Sequence, residues 1–379
     1  MSESVIKPSK SEHKGLPIRV VFEPRLQEPP RWYPFFLSLV AIIVAFFFSG
    51  ILIYLAGGDP LLSFEHIVRA SFGSLGQFSD TMVKATPLIL VGLACTVAFR
   101  MRLWNIGAEG QFFMGALGAS AVVLIPLLPS TTSPWIFIPV MMLAGILAGA
   151  LWGFIPGFLK AKYNVNEIIT TLMMNYIATS LVLFFVFGVW SEGGFQMSRV
   201  FPKNAWLPRL ADFAKQVPAF RGLTTHLGLI IALVAVVVVW FILYRSKWGY
   251  EIRLIGDNPR AAQYAGINIS RNIILVMMLS GGLAGLAGMS EITGVVHRLQ
   301  SAISPGYGFT GIIIAWLAKL NPFAVVIVSI FFGALILAGR EIQPSGVPKM
   351  IQGIILVCLI ASDFFQRYQV RLIRTGEEA

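Results

Sequence analysis

The sequence predicts an all-α, polytopic membrane protein with about ten transmembrane helices and cytoplasmic termini. Of its residues, 56% are hydrophobic and only 12% are charged, whereas an average soluble domain is about a quarter charged. Several apolar stretches also reach the length of about 20 residues with which a helix crosses a bilayer. The chain is therefore built for a lipid environment.

Ten apolar stretches, separated by charged or turn-forming segments, are each predicted to be one span. The first begins near Trp32 and is too long for the core of a signal peptide. The predicted spans are 33–57, 81–99, 111–127, 135–159, 166–190, 226–243, 272–290, 307–318, 322–339 and 347–365. Spans two to five and seven to ten begin on opposite sides of the membrane, which suggests two inverted four-helix halves.

The basic residues lie mainly in the tails and in alternate loops, which the positive-inside rule assigns to the cytoplasm. We predict a basic N-terminal tail (1–31), a transmembrane domain (32–366) and a C-terminal tail (367–379). Within the transmembrane domain, residues 191–225 are predicted to be external and residues 245–271 to form a cytoplasmic loop. The net charge of +11 then reflects membrane orientation, and we predict no nucleic-acid partner.

The stretch LWNIGAEGQFFMGALGA (103–119) places Asn105, Glu109 and Gln111 at membrane depth among glycines. A charge at this depth is costly and normally faces protein or a water-filled cavity. Because glycines flank Glu109, we expect residues 103–110 to be broken or re-entrant. The polar groups either line a solute path or hold the bend, with Glu109 bonded to backbone amides or paired with an arginine at 100 or 102.

A second polar cluster, NVNEIITTLMMNYIA (164–178), opens the fifth predicted span. An asparagine can cap this helix, and a glutamate is favourable in its first turn. Four-residue spacing places a hydroxyl and an amide on one helix face, which suits either the wall of a path for a polar, uncharged solute or interhelical hydrogen bonds. The candidate residues are Asn166, Glu167, Thr171, Met174 and Asn175.

Glycines recur every four residues in two spans, and such a stripe lets neighbouring helix backbones approach closely. We interpret these glycines as helix-packing positions rather than as a nucleotide loop, because the Gly-x-Gly-x-x-Gly pattern is not matched. They are Gly145, Gly149, Gly153 and Gly157 in span four, with Gly281 and Gly285 in span seven.

The cytoplasmic loop contains a short helix signature, GDNPRAAQYAG (256–266). Asp257 or Asn258 can cap the helix, Pro259 suits its first position, and Gly266 can end it. The helix is too short to be stable alone, so it must lean on its own bundle or on another protein.

The sequence contains no Walker A, His-Glu-x-x-His or Gly-x-Ser-x-Gly motif, and these are the patterns of nucleotide, metalloprotease and hydrolase sites. The four histidines are scattered along the chain. We therefore predict no catalytic site, no metal site and no cofactor bound by this chain.

Five stretches together resemble the ABC transporter permeases of the branched-chain amino acid and ribose importer class, and within it the nucleoside permeases. They are LWNIGAEGQFFMGALGA, NEIITTLMMNYIA, GDNPRAAQYAGINISRN, SGGLAGLAG (280–288) and GYGFTGIIIAWLA (306–318). The resemblance covers about residues 60–365. It implies a multi-pass pore subunit in the bacterial inner membrane, and not an enzyme.

The resemblance also implies partners. They are a cytoplasmic ATPase that uses ATP and Mg²⁺, an external substrate-binding lipoprotein, and a second permease subunit. A heterodimer of two different permeases is expected rather than a homodimer. It further implies that the ATPase-coupling residues are Gly256, Asp257, Asn258, Pro259, Arg260, Ala261, Ala262 and Gly266. The alternative cargo is a sugar such as ribose. The alternative mechanism is an ion-coupled transporter in which Glu109, Glu167 or Glu291 carries the ion. A third alternative, an intramembrane enzyme, is disfavoured because the sequence shows no catalytic constellation.

Overall fold

The computed structural model of the chain describes residues 18–24, 30, 32–129, 131–339 and 346–374. Most of the predicted N-terminal tail and the last five residues therefore lie outside the described part. The described residues form two compact units, one from the described residues up to 49 with those from 353 onward, the other from those between 50 and 352. Within the described part the helices are α1 (Tyr33–Leu55), α2 (Pro60–Phe72), α3 (Leu75–Arg100), α4 (Ala108–Leu124), α5 (Pro134–Tyr163), α6 (Glu167–Phe187), α7 (Gly228–Arg245), α8 (Lys247–Asp257), α9 (Pro259–Tyr264), α10 (Ile269–Glu291), α11 (Tyr307–Leu317), α12 (Pro322–Ala338) and α13 (Val347–Arg367).

All ten predicted spans are helical. Seven of the helices in the described residues are long and apolar enough to cross a membrane, whereas α4, α11 and α12 are shorter. At a rise of about 1.5 Å per residue, the 11 residues of α11 extend about 16 Å, roughly half the hydrocarbon thickness of a bilayer. The structure therefore supports a polytopic helical protein without establishing ten complete spans.

The all-α prediction missed two short strands near the termini. β1 (Ile18–Pro24) pairs antiparallel with β2 (Tyr368–Arg374), in a register that runs from Ile18 opposite Arg374 to Pro24 opposite Tyr368. Both segments are rich in the branched and aromatic residues that favour strands. We predicted these tails from their charge alone, and charge does not indicate a strand.

The loop predicted at 245–271 is largely helical. Ser246 caps α8, and the side chain of Asn258 accepts hydrogen bonds from two backbone amides at the start of α9. A further helix, α2, lies between the first and second predicted spans, and the side chain of Asp59 caps its start. The segment predicted to be external, 191–225, contains three short 3₁₀ helices.

The central helix of the larger unit is α3, in which every residue from Thr81 to Phe99 is buried. It packs against α7, α10, α11 and α12, while α10 packs against α3, α4 and α5. α3 and α10 thus contact each other. α3 also contacts the short helices α11 and α12 and the long helix α7, and α10 also contacts the short helix α4 and the long helix α5. Because protein surrounds α3 on every side, polar groups on it can be partnered away from lipid.

Candidate functional site

The chain turns back into the protein between α3 and α4. Asn105 donates hydrogen bonds of 2.8 Å to Gln111 Oε1 and to Ser280 Oγ, and Ser280 in turn donates to the carbonyl oxygen of Ala94. Ala94 lies six residues before the end of α3, which corresponds to about 9 Å along the helix. The segment predicted to be re-entrant therefore returns to this depth, and α4 starts inside the bundle.

Glu109 lies where the N-termini of two short helices meet. Its Oε2 accepts a 2.6 Å hydrogen bond from the backbone amide of Gly308 at the start of α11, and the Ser304 hydroxyl bonds to the same carboxylate. Helix N-termini carry free N–H groups and partial positive charge. The Glu109 carboxylate thus accepts a hydrogen bond from a free backbone amide at the start of α11, and Glu109 itself lies in the first turn of α4. Of the structural alternatives, the geometry matches bonding to a backbone amide, because the Gly308 amide donates to this carboxylate. Arg100 instead donates to the Tyr244 hydroxyl.

The second polar cluster divides into two groups. Asn175 accepts from the amide of Gly110 at 2.8 Å and donates to the carbonyl oxygen of Ile106 at 2.9 Å, so it fastens α6 to the start of α4. At the start of α6, Asn166 caps the helix and Glu167 pairs with Lys160 at 3.0 Å.

The remaining members of that cluster are buried in α6. Thr171 donates its hydroxyl proton to the carbonyl oxygen of Glu167, and the carbonyl oxygen of Met174 accepts from the Trp152 indole. The structure thus brings Asn105, Glu109, Gln111 and Asn175 into one region, with Asn166 and Glu167 apart from it. Their role as walls of a solute path stays a prediction.

We expect Glu109→Gln to fold and to retain partial transport, and Glu109→Leu to assemble poorly. The glutamine amide oxygen can still accept from Gly308, whereas leucine leaves a buried donor unpaired at a cost of about 1–3 kcal/mol. The check is the yield and melting temperature of both variants, with uptake measured on the folded fraction. Parent-like folding and uptake by Glu109→Leu would show that the carboxylate is dispensable.

A buried ion pair joins α3 to α10; the sequence had singled out only its acidic member, Glu291, as a candidate ion carrier. Lys84 Nζ lies 3.1 Å from Glu291 Oε1, with side-chain exposures of 8% and 3%, and it donates a 3.1 Å hydrogen bond to the Tyr307 hydroxyl. Removing such charges from water costs several kcal/mol per ion, and an apolar pair would be about as stable. Lys84 is the one charged residue between positions 81 and 99. A lone charge within a predicted span could have identified Lys84 as a candidate site residue from the sequence.

The ion pair lies on the wall of a cavity of about 500 Å³, named here the Lys84 cavity. Its polar lining includes Gln300, Ser304 and Gln352, and its apolar lining includes Val295 and Ile336. A second cavity of about 230 Å³ is lined by Asp80, Arg209 and Thr224, and it also shares Lys84 and Val295 with the first. Lys84 therefore lines both the Lys84 cavity and this second, smaller cavity.

The segment at 191–227 packs onto the end of α10, beyond its π-helical turn (Ile292–Val296). The rings of Trp206 and His297 stack with centroids 3.8 Å apart, and Arg209 lies 2.6 Å from His297 Nε2 and donates to the carbonyl oxygen of Gly294. Burial, and then the neighbouring Arg209 guanidinium, lower the pKa of His297 to about 4. The imidazole is therefore neutral at pH 7, so its Nε2 can accept a hydrogen bond from Arg209.

The predicted coupling segment lies beside the end of α3, because a Cβ on Gly256 would overlap the carbonyl oxygen of Arg100. Asp257, Asn258, Pro259 and Arg260 are exposed, Ala261 is half-buried, and Gly266 has the positive φ of 75° that favours glycine. Ala262 is 0% exposed and Tyr264 is 94% exposed. The expectation that Ala262 offers a contact to a partner is therefore wrong for this structure, since helical periodicity turns it toward its own bundle.

The glycine stripes of α5 and α10 face each other. A Cβ on Gly149 would overlap the carbonyl oxygen of Gly281 and lie 2.8 Å from the Gly285 Cα. Gly145 approaches Gly285, Gly153 approaches Gly281 and Met277, and Gly157 approaches Met277. The two backbones are thus in direct contact along the stripe.

The sequence of this chain is similar to those of known transport proteins. Residues 77–360 match the family model described as branched-chain amino acid transport system / permease component. The chain is 32% identical to a glucose ABC transporter permease of Haloferax volcanii, over 96% of this chain and 97% of that protein.

Two further relatives transport other solutes. A guanosine ABC transporter permease of Bacillus subtilis is 32% identical over 87% of this chain and 94% of its own. A nucleoside ABC transporter permease of Lactococcus lactis is 31% identical over 85% of this chain and 88% of its own.

Proposed function

This chain belongs to the family of permease components of branched-chain amino acid transport systems, and from that premise we propose that it carries nucleosides across a bacterial cytoplasmic membrane. It is the membrane-spanning permease of an ABC importer and not an enzyme, which confirms the resemblance found in the sequence. The ion-coupled alternative is set aside, because permeases of this family work with a separate ATPase.

The observation that carries the nucleoside proposal is the combination of the 103–119 and 166–178 motifs with relatives that transport guanosine and nucleosides. A sugar is the second candidate, because the glucose permease of Haloferax volcanii is as similar over more of the chain. The test is uptake into liposomes that contain this chain with its ATPase and binding protein. Labelled guanosine and adenosine should accumulate with ATP present, and accumulation of glucose or ribose alone would overturn the nucleoside assignment.

The same proposal includes the assembly. The ATPase uses ATP and Mg²⁺ on the cytoplasmic side, a lipoprotein delivers solute from outside, and a second, different permease completes the pore. We further propose that eight polar or thioether residues line the solute path. They are Asn105, Glu109, Gln111, Asn166, Glu167, Thr171, Met174 and Asn175.

We also infer two inverted halves, α3–α6 and α10–α13, with cytoplasmic termini. Each half opens with a long helix, and that helix is followed by a re-entrant connection and a short helix. The packing of α3 against α11 and α12 and that of α10 against α4 and α5 support this reading. In that orientation α8 and α9 face the cytoplasm and the 191–227 segment faces outward.

We expect Tyr264→Glu to lower ATPase association and uptake together by about tenfold, which corresponds to about 1.4 kcal/mol of docking free energy. Tyr264 is almost fully exposed on α9, so a carboxylate there should spare the fold while it places a charge in the docking surface. The measurement is pull-down of the ATPase and ATP-driven uptake.

Tyr250→Glu is the matched control, since Tyr250 is a half-exposed tyrosine of α8, outside the proposed docking helix. Ala262→Glu would instead bury a charge within the chain's own packing, so it does not test docking. Normal association of Tyr264→Glu would move the coupling contact elsewhere, with the turn at 160–166 as the next candidate.

A further inference from the structure

The Lys84 cavity has the size and the lining of a small-molecule site. Its volume of about 500 Å³ falls in the range of about 300–1,000 Å³ that is typical of ligand sites, and such sites combine apolar walls with a few placed polar groups. The apolar wall includes Val295, Val296, Ile303 and Ile336, and the polar wall consists of Lys84, Glu291, Gln300, Ser304, Lys349 and Gln352.

The ion pair on this wall presents a donor and an acceptor side by side. Lys84 Nζ and Glu291 Oε1 are 3.1 Å apart, so two neighbouring hydroxyl groups of a solute can accept from the ammonium and donate to the carboxylate. The ammonium has three donor hydrogens and the carboxylate about four acceptor positions, so the pair can add these bonds while it stays together. By contrast, the hydrogen bonds of Asn105, Gln111 and Asn175 go largely to each other and to the backbone.

We propose that Lys84, Glu291 and the amide of Gln300 form a subsite that binds the vicinal hydroxyl pair of an uncharged solute on its way through the protein. This inference rests on the proposed function in solute uptake and names the chemistry that the path recognises. The hydroxyl pair is supplied equally by the ribose of a nucleoside and by a free sugar.

The experiment compares each solute with its deoxy analogue in liposomes that contain the chain, its ATPase and its binding protein. The arms are adenosine against 2′-deoxyadenosine and 3′-deoxyadenosine, and glucose against 2-deoxyglucose. The variants are Gln300→Ala and the double variant Lys84→Met with Glu291→Leu. Because the binding protein is unchanged, any change in the ratio of uptake between solute and deoxy analogue belongs to the permease.

We expect that ratio to fall by about threefold or more for each hydrogen bond removed. Thr96→Val is the matched control, since Thr96 is a buried polar residue of α3 whose hydroxyl bonds to its own helix. Its ratio should equal that of the parent.

An unchanged ratio in folded Gln300→Ala overturns the subsite, and so does an unchanged ratio in the double variant where that variant folds. Uptake of glucose without nucleosides would overturn the nucleoside cargo alone, and the subsite is then judged on the glucose arm. If the parent carries none of adenosine, guanosine, ribose and glucose, both proposals are wrong.

Discussion

Gly149→Leu is expected to abolish assembly of the bundle, because the leucine would have to occupy space filled by the backbone of α10. A Cβ alone would overlap the Gly281 carbonyl oxygen and approach the Cα of Gly285 to 2.8 Å. Overpacking a core usually costs about 1–3 kcal/mol and occasionally more, and here rigid backbone stands in place of a movable side chain. α5 and α10 would have to separate, and this would displace α4 from α10 as well. The measurement is the yield of monodisperse protein after detergent extraction, together with its melting temperature.

The matched control for this prediction is Gly353→Leu in α13, where an added Cβ meets no atom within 4 Å. This variant should be extracted and melt like the parent or slightly above it, because leucine is the better helix former. Parent-like behaviour of Gly149→Leu would mean that the α5–α10 contact is looser than described.

Lys84→Met is expected to be destabilised by about 3–5 kcal/mol, because it leaves the Glu291 carboxylate buried without its counter-charge. The double change of Lys84→Met and Glu291→Leu should recover most of that loss, since a packed apolar pair is about as stable as a buried ion pair. The measurement is the melting temperature of the parent, both single variants and the double variant, arranged as a double-mutant cycle. If the single and double variants melt together, the pair is hydrated, and its burial is not what keeps the charges together.

Comparing the melting temperature of the double variant with its solute preference shows what the Lys84–Glu291 pair does. If the double variant regains stability while its preference for the vicinal hydroxyl pair is lost, the charges serve recognition of the solute. If the double variant regains both its stability and its preference for the vicinal hydroxyl pair, apolar packing can replace the two charges in both roles.

Much of the fold could be predicted because its signals are local. Apolar runs and turn-forming residues located all ten helical stretches within a few residues, and Asn258, Pro259 and Gly266 gave the bounds of α9. The same periodicity predicted the glycine stripe of α5. The strands near the termini were missed because their tails were considered only for charge.

The candidate site depended on contacts between residues far apart in the chain. Glu109 stood out in the sequence, but its partner Gly308 is 199 positions away, and nothing local to either residue indicates the contact. Lys84 and Glu291 are separated by 207 positions. In the same way, the burial of Ala262 and the exposure of Tyr264 depend on which face of α9 meets the bundle.

By itself the sequence determined the membrane class, the positions of the helices and, through its motifs, the family of ABC importer permeases. Hydropathy and helical spacing are properties of consecutive residues, so they can be read without knowing what each helix touches. The tertiary structure alone decided that α4 and α11 start inside the bundle, that Glu109 caps α11, and that an ion pair borders a cavity. The physical reason is that the crossing of α3, α10 and α11 sets which polar groups meet, and that crossing depends on the packing of whole helix faces.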